Sequence, residues 1–147
     1  MKIGFIVGKN NEICDNPGLK KITPKKYLVD CYDNGWKKNT LQIDVAIAMT
    51  IKSRFPGIII DMILPKEISL ERLKKNDVNF LLGYDCINQM VSEPYIKKFE
   101  GPKGYDLLKG IYGNPNAKVF PPMNFLEFVW AKDVYLTKFH KKGIPVS

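Results

Sequence analysis

Residues able to do chemistry are sparse in this 147-residue chain, and three short stretches hold them: Gly8-Lys9-Asn10-Asn11-Glu12, Pro65-Lys66-Glu67 and Gly83-Tyr84-Asp85. Each follows an apolar run. The first offers a glycine and backbone amides able to cradle an anion, with Lys9 as a nearby positive charge. Its spacing matches neither GxGxxG nor GxxxxGK[ST], so the dinucleotide and P-loop readings fail. Asp85 has the side chain of a helix cap as well as that of a ligand contact. Three scattered cysteines (Cys14, Cys31, Cys86) and a single histidine, His140, lack the close pairs a structural zinc site needs. The chain has no GxSxG elbow, and one histidine near its end supports no Ser-His-Asp arrangement. These residues form no complete catalytic apparatus, and no catalytic residue or metal ligand is assigned.

The elements that must position these stretches are legible as apolar runs. Residues 2–8 (KIGFIVG), 58–64 (IIIDMIL) and 78–83 (VNFLLG) read as buried strands, and 118–120 before Pro121-Pro122 as a short fourth. Residues 40–55 follow helical spacing, with Thr40 as N-cap and Pro56-Gly57 as the stop. A short helix is expected from Ser69 to Lys75, with Ser69 as its cap, and a helical pattern covers 86–99. Residues 125–139 are apolar nearly all round, which predicts two differently buried helices broken near Ala131–Asp133. Asn124 and Glu127 suggest an imperfect capping box, and Gly143 with Pro145 a helix stop. Strands alternating with helices imply a parallel sheet with helices on both faces. The expected fold is therefore α/β, a three-layer Rossmann-like parallel sheet of about four strands. Ligands of such sheets bind beyond the carboxyl ends of the strands, where the three stretches fall. Residues 9–39 are polar and rich in turn signals (Pro17-Gly18, Pro24, Asn34-Gly35), and read as an insertion carrying a hairpin.

Composition sets the outer limits. A 45% hydrophobic and 26% charged content excludes disorder and low complexity, and the size fits one domain, 1–147. No apolar run reaches the ~20 residues that span a bilayer, and the start lacks a signal-peptide pattern; a soluble, cytoplasmic chain is expected. The net charge of +8 is concentrated at the ends, with residues 1–39 and 101–147 each at +4 and 40–100 neutral. There are only two arginines, Arg54 and Arg72, and the lysines come as scattered pairs. That pattern argues against nucleic acid, which favours Arg-rich, aromatic-interleaved segments. It suits a solvated face or a small anionic ligand.

The last quarter carries a family resemblance. Val119-Phe120-Pro121-Pro122 leads into Asn124–Trp130, then Ala131-Lys132-Asp133; ten residues (133–142) separate Lys132 from Gly143-Ile144-Pro145. This resembles the junction between the N-terminal (pre-ATP-grasp) domain and the ATP-binding domain of ATP-grasp ligases, such as D-alanine–D-alanine ligase, prokaryotic glutathione synthetase and biotin carboxylase. Residues 2–12 resemble the opening of D-alanine–D-alanine ligase. Ala131 departs from the family pattern, which has Asp or Asn before the lysine. The resemblance implies the N-terminal domain of an ATP-dependent carboxylate–amine or carboxylate–thiol ligase acting through an acylphosphate. Lys132 would contact ATP, and Gly8, Lys9, Asn10, Glu12, Tyr84 and Asp85 the substrate. ATP and Mg²⁺ would belong to the longer enzyme, whose ATP-binding domain would follow residue 147. The 147-residue chain alone is expected to need no cofactor and to turn over no ATP. The implied partners are a nucleotide and a small carboxylate, with homodimerisation left open. The alternative is a non-enzymatic basic α/β module that docks a protein or nucleic acid through its Lys-rich ends.

Overall fold

The structure, a computed structural model, describes residues 1–7, 13–33, 36–82, 101–130 and 132–145, with the backbone alone for 31–33, 36–38, 101–102, 127–130 and 132–135. In chain order the first elements are β1 (Lys2–Ile6), β2 (Ile13–Cys14), α1 (Pro17–Ile22), β3 (Leu28–Asp33), β4 (Trp36–Gln42) and α2 (Ile43–Arg54). Then come β5 (Ile59–Ile63), α3 (Leu70–Leu73), β6 (Val78–Leu81), α4 (Gly101–Tyr112), β7 (Val119–Phe120), α5 (Met123–Trp130) and α6 (Lys132–Lys141).

The four apolar runs pair as a parallel sheet in the order β5-β1-β6-β7. Successive side chains of a strand point to opposite faces, and the register aligns like with like. Phe5 lies opposite Met62 and Phe80, and Phe80 opposite Phe120. The Phe5 and Phe80 rings stack at 5.7 Å, and Phe80 meets Phe120 edge-on at 6.0 Å. This face packs with Val45, Ala46, Ala48 and Met49 of α2 and with Tyr27 and Leu41. On the other face Ile6, Ile63 and Leu81 pack with Leu73 of α3, Leu108 and Tyr112 of α4, and Met123 and Leu126 of α5. Ile6, Ile63, Leu73 and Leu108 are fully buried, each contributing about 1.5–3 kcal/mol. The result is the expected three-layer α/β architecture.

β5 and β7 are the edges of this sheet. Ile59 N donates to Met1 O, and Ile63 O accepts from Val7 N; residues 59 and 63 therefore face β1, and the backbone of Met62 faces outward. Its carbonyl accepts hydrogen bonds from Tyr27 Oη at 2.9 Å and Arg72 Nη2 at 3.1 Å.

A second, antiparallel sheet, β2-β4-β3, lies within the connection from β1 to β5. The hairpin expected within 9–39 is present, but its second strand runs on to Gln42. Thr40 is therefore not the cap of α2. It pairs with Val29 while its neighbour Leu41, fully buried, pairs with Leu28. The helix starts only at Ile43, because burial of Leu41 in the extended strand outweighs the capping preference of Thr40. Lys118 is likewise outside the expected strand 118–120, since its φ of 48° is left-handed.

Near the end, α5 spans Met123–Trp130 and α6 spans Lys132–Lys141, and Ala131, where the break was expected to begin, lies outside the described residues. Asn124 is a correction. α5 begins at Met123, so Asn124 sits in the first turn, and the Pro122 carbonyl accepts the Phe125 and Leu126 amides. Gly143 ends α6 at φ 70°. Its amide reaches His140 O and the Ile144 amide reaches Phe139 O, both at 3.0 Å, the paired bonds of a Schellman stop. The helix expected at 86–99 lies outside the described residues. No helix among the described residues is long and apolar enough to cross a membrane.

Candidate functional site

In an open parallel sheet the crevice forms where the strand order reverses. Here the chain goes from β1 to β5 on one side, then returns past β1 to β6 on the other, so the reversal lies between β1 and β6. Val7 N bonds to Ile63 O at 3.1 Å and Leu82 N to Ile6 O at 3.3 Å, which carries the pairing one residue past each strand. Val7 and Leu82, the last described residues before two of the three stretches, therefore lie at the ends of adjacent strands. The candidate substrate contacts Gly8, Lys9, Asn10, Glu12, Tyr84 and Asp85 lie outside the described residues. The backbone of Lys132 opens α6, and its side chain lies outside them.

The third stretch, Pro65-Lys66-Glu67, is a single 3₁₀ turn beyond β5, and its acid is engaged internally. Glu67 Oε2 accepts from Leu64 N at 3.1 Å and from Arg72 Nη1 at 2.9 Å. Arg72 also grips Asp61 through Nη2 at 2.7 Å and Nε at 3.4 Å. Ser69 caps α3 as expected, accepting from Arg72 N at 3.3 Å, and so fixes the start of the helix that carries this arginine.

The network continues beneath α3. Asn76 Nδ2 donates to Asp61 Oδ2 at 3.2 Å and to Asn79 Oδ1 at 2.8 Å. Asn79 Nδ2 donates to Leu73 O at 3.0 Å and Ala117 O at 2.6 Å. Gly4 sits between Asp61 and Asn79 in register, and a Cβ there would land on Asn79 Oδ1. The glycine is thus the gap that admits two buried asparagines over the sheet.

Electrostatics follows from these contacts. Burial alone would push the Asp61 carboxyl up, but hydrogen bonds from Arg72 and Asn76 and the Arg72 charge outweigh it, so its pKa is lowered. Glu67 behaves alike: the Leu64 amide and the Arg72 and Lys26 charges outweigh burial. The Asp61 hydrogen bond leads the effects that raise the Arg72 pKa. Both carboxylates are held charged and spoken for by one guanidinium, which suits a brace and not a general acid or a cation site. No group of three or more His, Cys, Asp or Glu among the described residues is placed to hold a metal. Sequence reasoning missed this cluster because Asp61 lies within an apolar run. The available signal was a lone acid inside a buried strand, with one of only two arginines eleven residues on.

Comparison with protein family models, with curated proteins and with solved structures finds no match to this chain.

Proposed function

We propose that the chain is the N-terminal substrate-binding domain of an ATP-dependent carboxylate–amine or carboxylate–thiol ligase of the ATP-grasp type. The observation that carries the reading is the succession after β7: Pro121-Pro122, then α5, then α6 opening at Lys132 and closing at Gly143. That order, following a four-stranded parallel sheet, supports the reading. In this reading ATP and Mg²⁺ are held mainly by a further domain, where phosphoryl transfer to a carboxylate takes place. This chain supplies Lys132, whose ammonium neutralises phosphate charge, and substrate contacts from Gly8–Glu12 and Tyr84–Asp85 beyond the β1 and β6 ends.

Titrating the ¹⁵N-labelled chain with a panel of amino acids and small carboxylates tests the crevice. Amide shifts concentrated at Val7 and Leu82, with Ile59 at the opposite end of the sheet unmoved, are expected. Shifts spread over the Lys-rich ends on adding an oligonucleotide or an acidic protein, with none at Val7 and Leu82, would favour the basic docking module instead. In the ligase itself, Lys132→Met should weaken ATP binding by about 1–3 kcal/mol, the range for a charged hydrogen bond, and leave the fold intact. Unchanged ATP affinity with a lowered melting temperature would make Lys132 a structural residue.

A further inference from the structure

We propose that the β7 edge of the sheet holds a second site, for a small molecule carrying adjacent phosphate groups. Two cavities, of about 460 and 390 Å³, share Lys118 in their walls. Lys109, Asn114 and Asn124 line the larger, and Lys74 and Asn116 the smaller. The described residues lining either cavity include no carboxylate.

The side chains here are turned to donate. Asn114 Oδ1 accepts from Asn116 N at 3.0 Å and Asn124 Oδ1 from Phe125 N at 2.9 Å. Each carboxamide oxygen is thereby engaged by a neighbouring backbone amide. Two ammonium groups, Lys74 and Lys118, with carboxamides beside them and no acid among the described lining residues, match an anion rich in acceptor oxygens.

Lys118 is the singular residue. Its φ of 48° is a conformation that glycine adopts freely and that other residues adopt only under strain. The backbone is pinned there from both sides, since Lys118 N donates to Pro115 O at 3.3 Å and Lys118 O accepts from Asn79 N at 2.9 Å. Among the described residues its Nζ donates to a neutral acceptor, Asn76 O at 3.5 Å. A lysine held where glycine would be less strained, between two donor-lined cavities, is placed to bridge two linked phosphates. This site is on the edge strand, apart from the β1–β6 crevice.

Calorimetric titration of the whole chain with pyrophosphate, and separately with inorganic phosphate, tests it. Pyrophosphate should bind about tenfold or more tightly than phosphate, because it offers more charge and more acceptor oxygens to the donors around Lys118. Lys118→Gly should weaken pyrophosphate about tenfold or more without lowering the melting temperature, since glycine relieves the backbone. Lys74→Gln should weaken it several-fold, whereas Lys52→Gln on α2 removes the same charge and should change nothing. The proposal is overturned if pyrophosphate gives no binding, if Lys118→Gly binds as wild type, or if Lys52→Gln weakens binding as much. A single-stranded oligonucleotide that binds more tightly than pyrophosphate and also depends on Lys118 would overturn the small-molecule assignment.

Discussion

Arg72 holds two carboxylates and a backbone carbonyl at once, and the side chains of Asp61 and Arg72 retain only 16% and 29% of their exposure. Removing one partner from such a cluster leaves the others desolvated and unpaired, so Arg72→Met should cost about 2–3 kcal/mol in urea unfolding. A loss below about 0.5 kcal/mol would mean the cluster braces nothing. The two acids also set an acid limit. Both have folded pKa values below their unfolded ones, so the stability they lend is complete above the ordinary glutamate value of 4.5 and lost as pH falls through the lowered values. Stability should therefore decline below about pH 4.5, and Asp61→Asn should flatten that decline while lowering stability at pH 7. Gly4→Ala should destabilise by about 1–3 kcal/mol in urea unfolding, the cost of overpacking, because its Cβ would meet both Asn79 Oδ1 and Asn76 Nδ2. Little of this was legible beforehand. Gly4, Asp61, Arg72, Asn76 and Asn79 are brought together by strand register, and nothing local in the sequence records which strands become neighbours.

Elements were legible where one local signal was uncontested. Gly57 and Pro65 bracket β5, Ser69 announces α3, and Gly143 with Pro145 announces the end of α6. Gly143→Ala should cost about 1 kcal/mol in thermal unfolding, because a Cβ is disfavoured at φ 70° although open space surrounds it. Deuterium exchange should then quicken in the last turn of α6 and hardly at all in β1. Elements were illegible where two signals competed. Thr40 has the chemistry of a cap, yet a strand partner was available to it. The Lys37-Lys38-Asn39 stretch of β4 shows no apolar alternation, so only the Asn34-Gly35 signal pointed to a hairpin. Its cross-strand partners Tyr32, Cys31 and Asp30 carry no matching pattern either.

Across the whole molecule, both apolar clusters hang on the same central strands, with Phe5 facing one and its neighbour Ile6 the other. Loosening either cluster should therefore weaken a single unfolding event. Met49→Ala under one face and Leu108→Ala over the other should each cost about 2–5 kcal/mol. Their effects should add when combined, because the sites share no contacts across the sheet. Separate far- and near-ultraviolet transitions in either variant would instead show that the two faces come apart independently. The parallel architecture was readable from the spacing of apolar runs, whereas of the antiparallel sheet that interrupts it only a hairpin was readable, from turn signals in a largely polar stretch, and not its strand bounds or the pairing with β2. The outer border of β5 has a further consequence. A bare border of this kind invites a second chain to add its own strand and then a third, which is how polymers begin. Tyr27 and Arg72 occupy the outward carbonyl of Met62, in the middle of that row, so an incoming strand meets a side chain where it needs an acceptor. The doubly substituted Tyr27→Phe, Arg72→Met chain should scatter light and bind thioflavin on standing at concentrations where the parent solution stays clear.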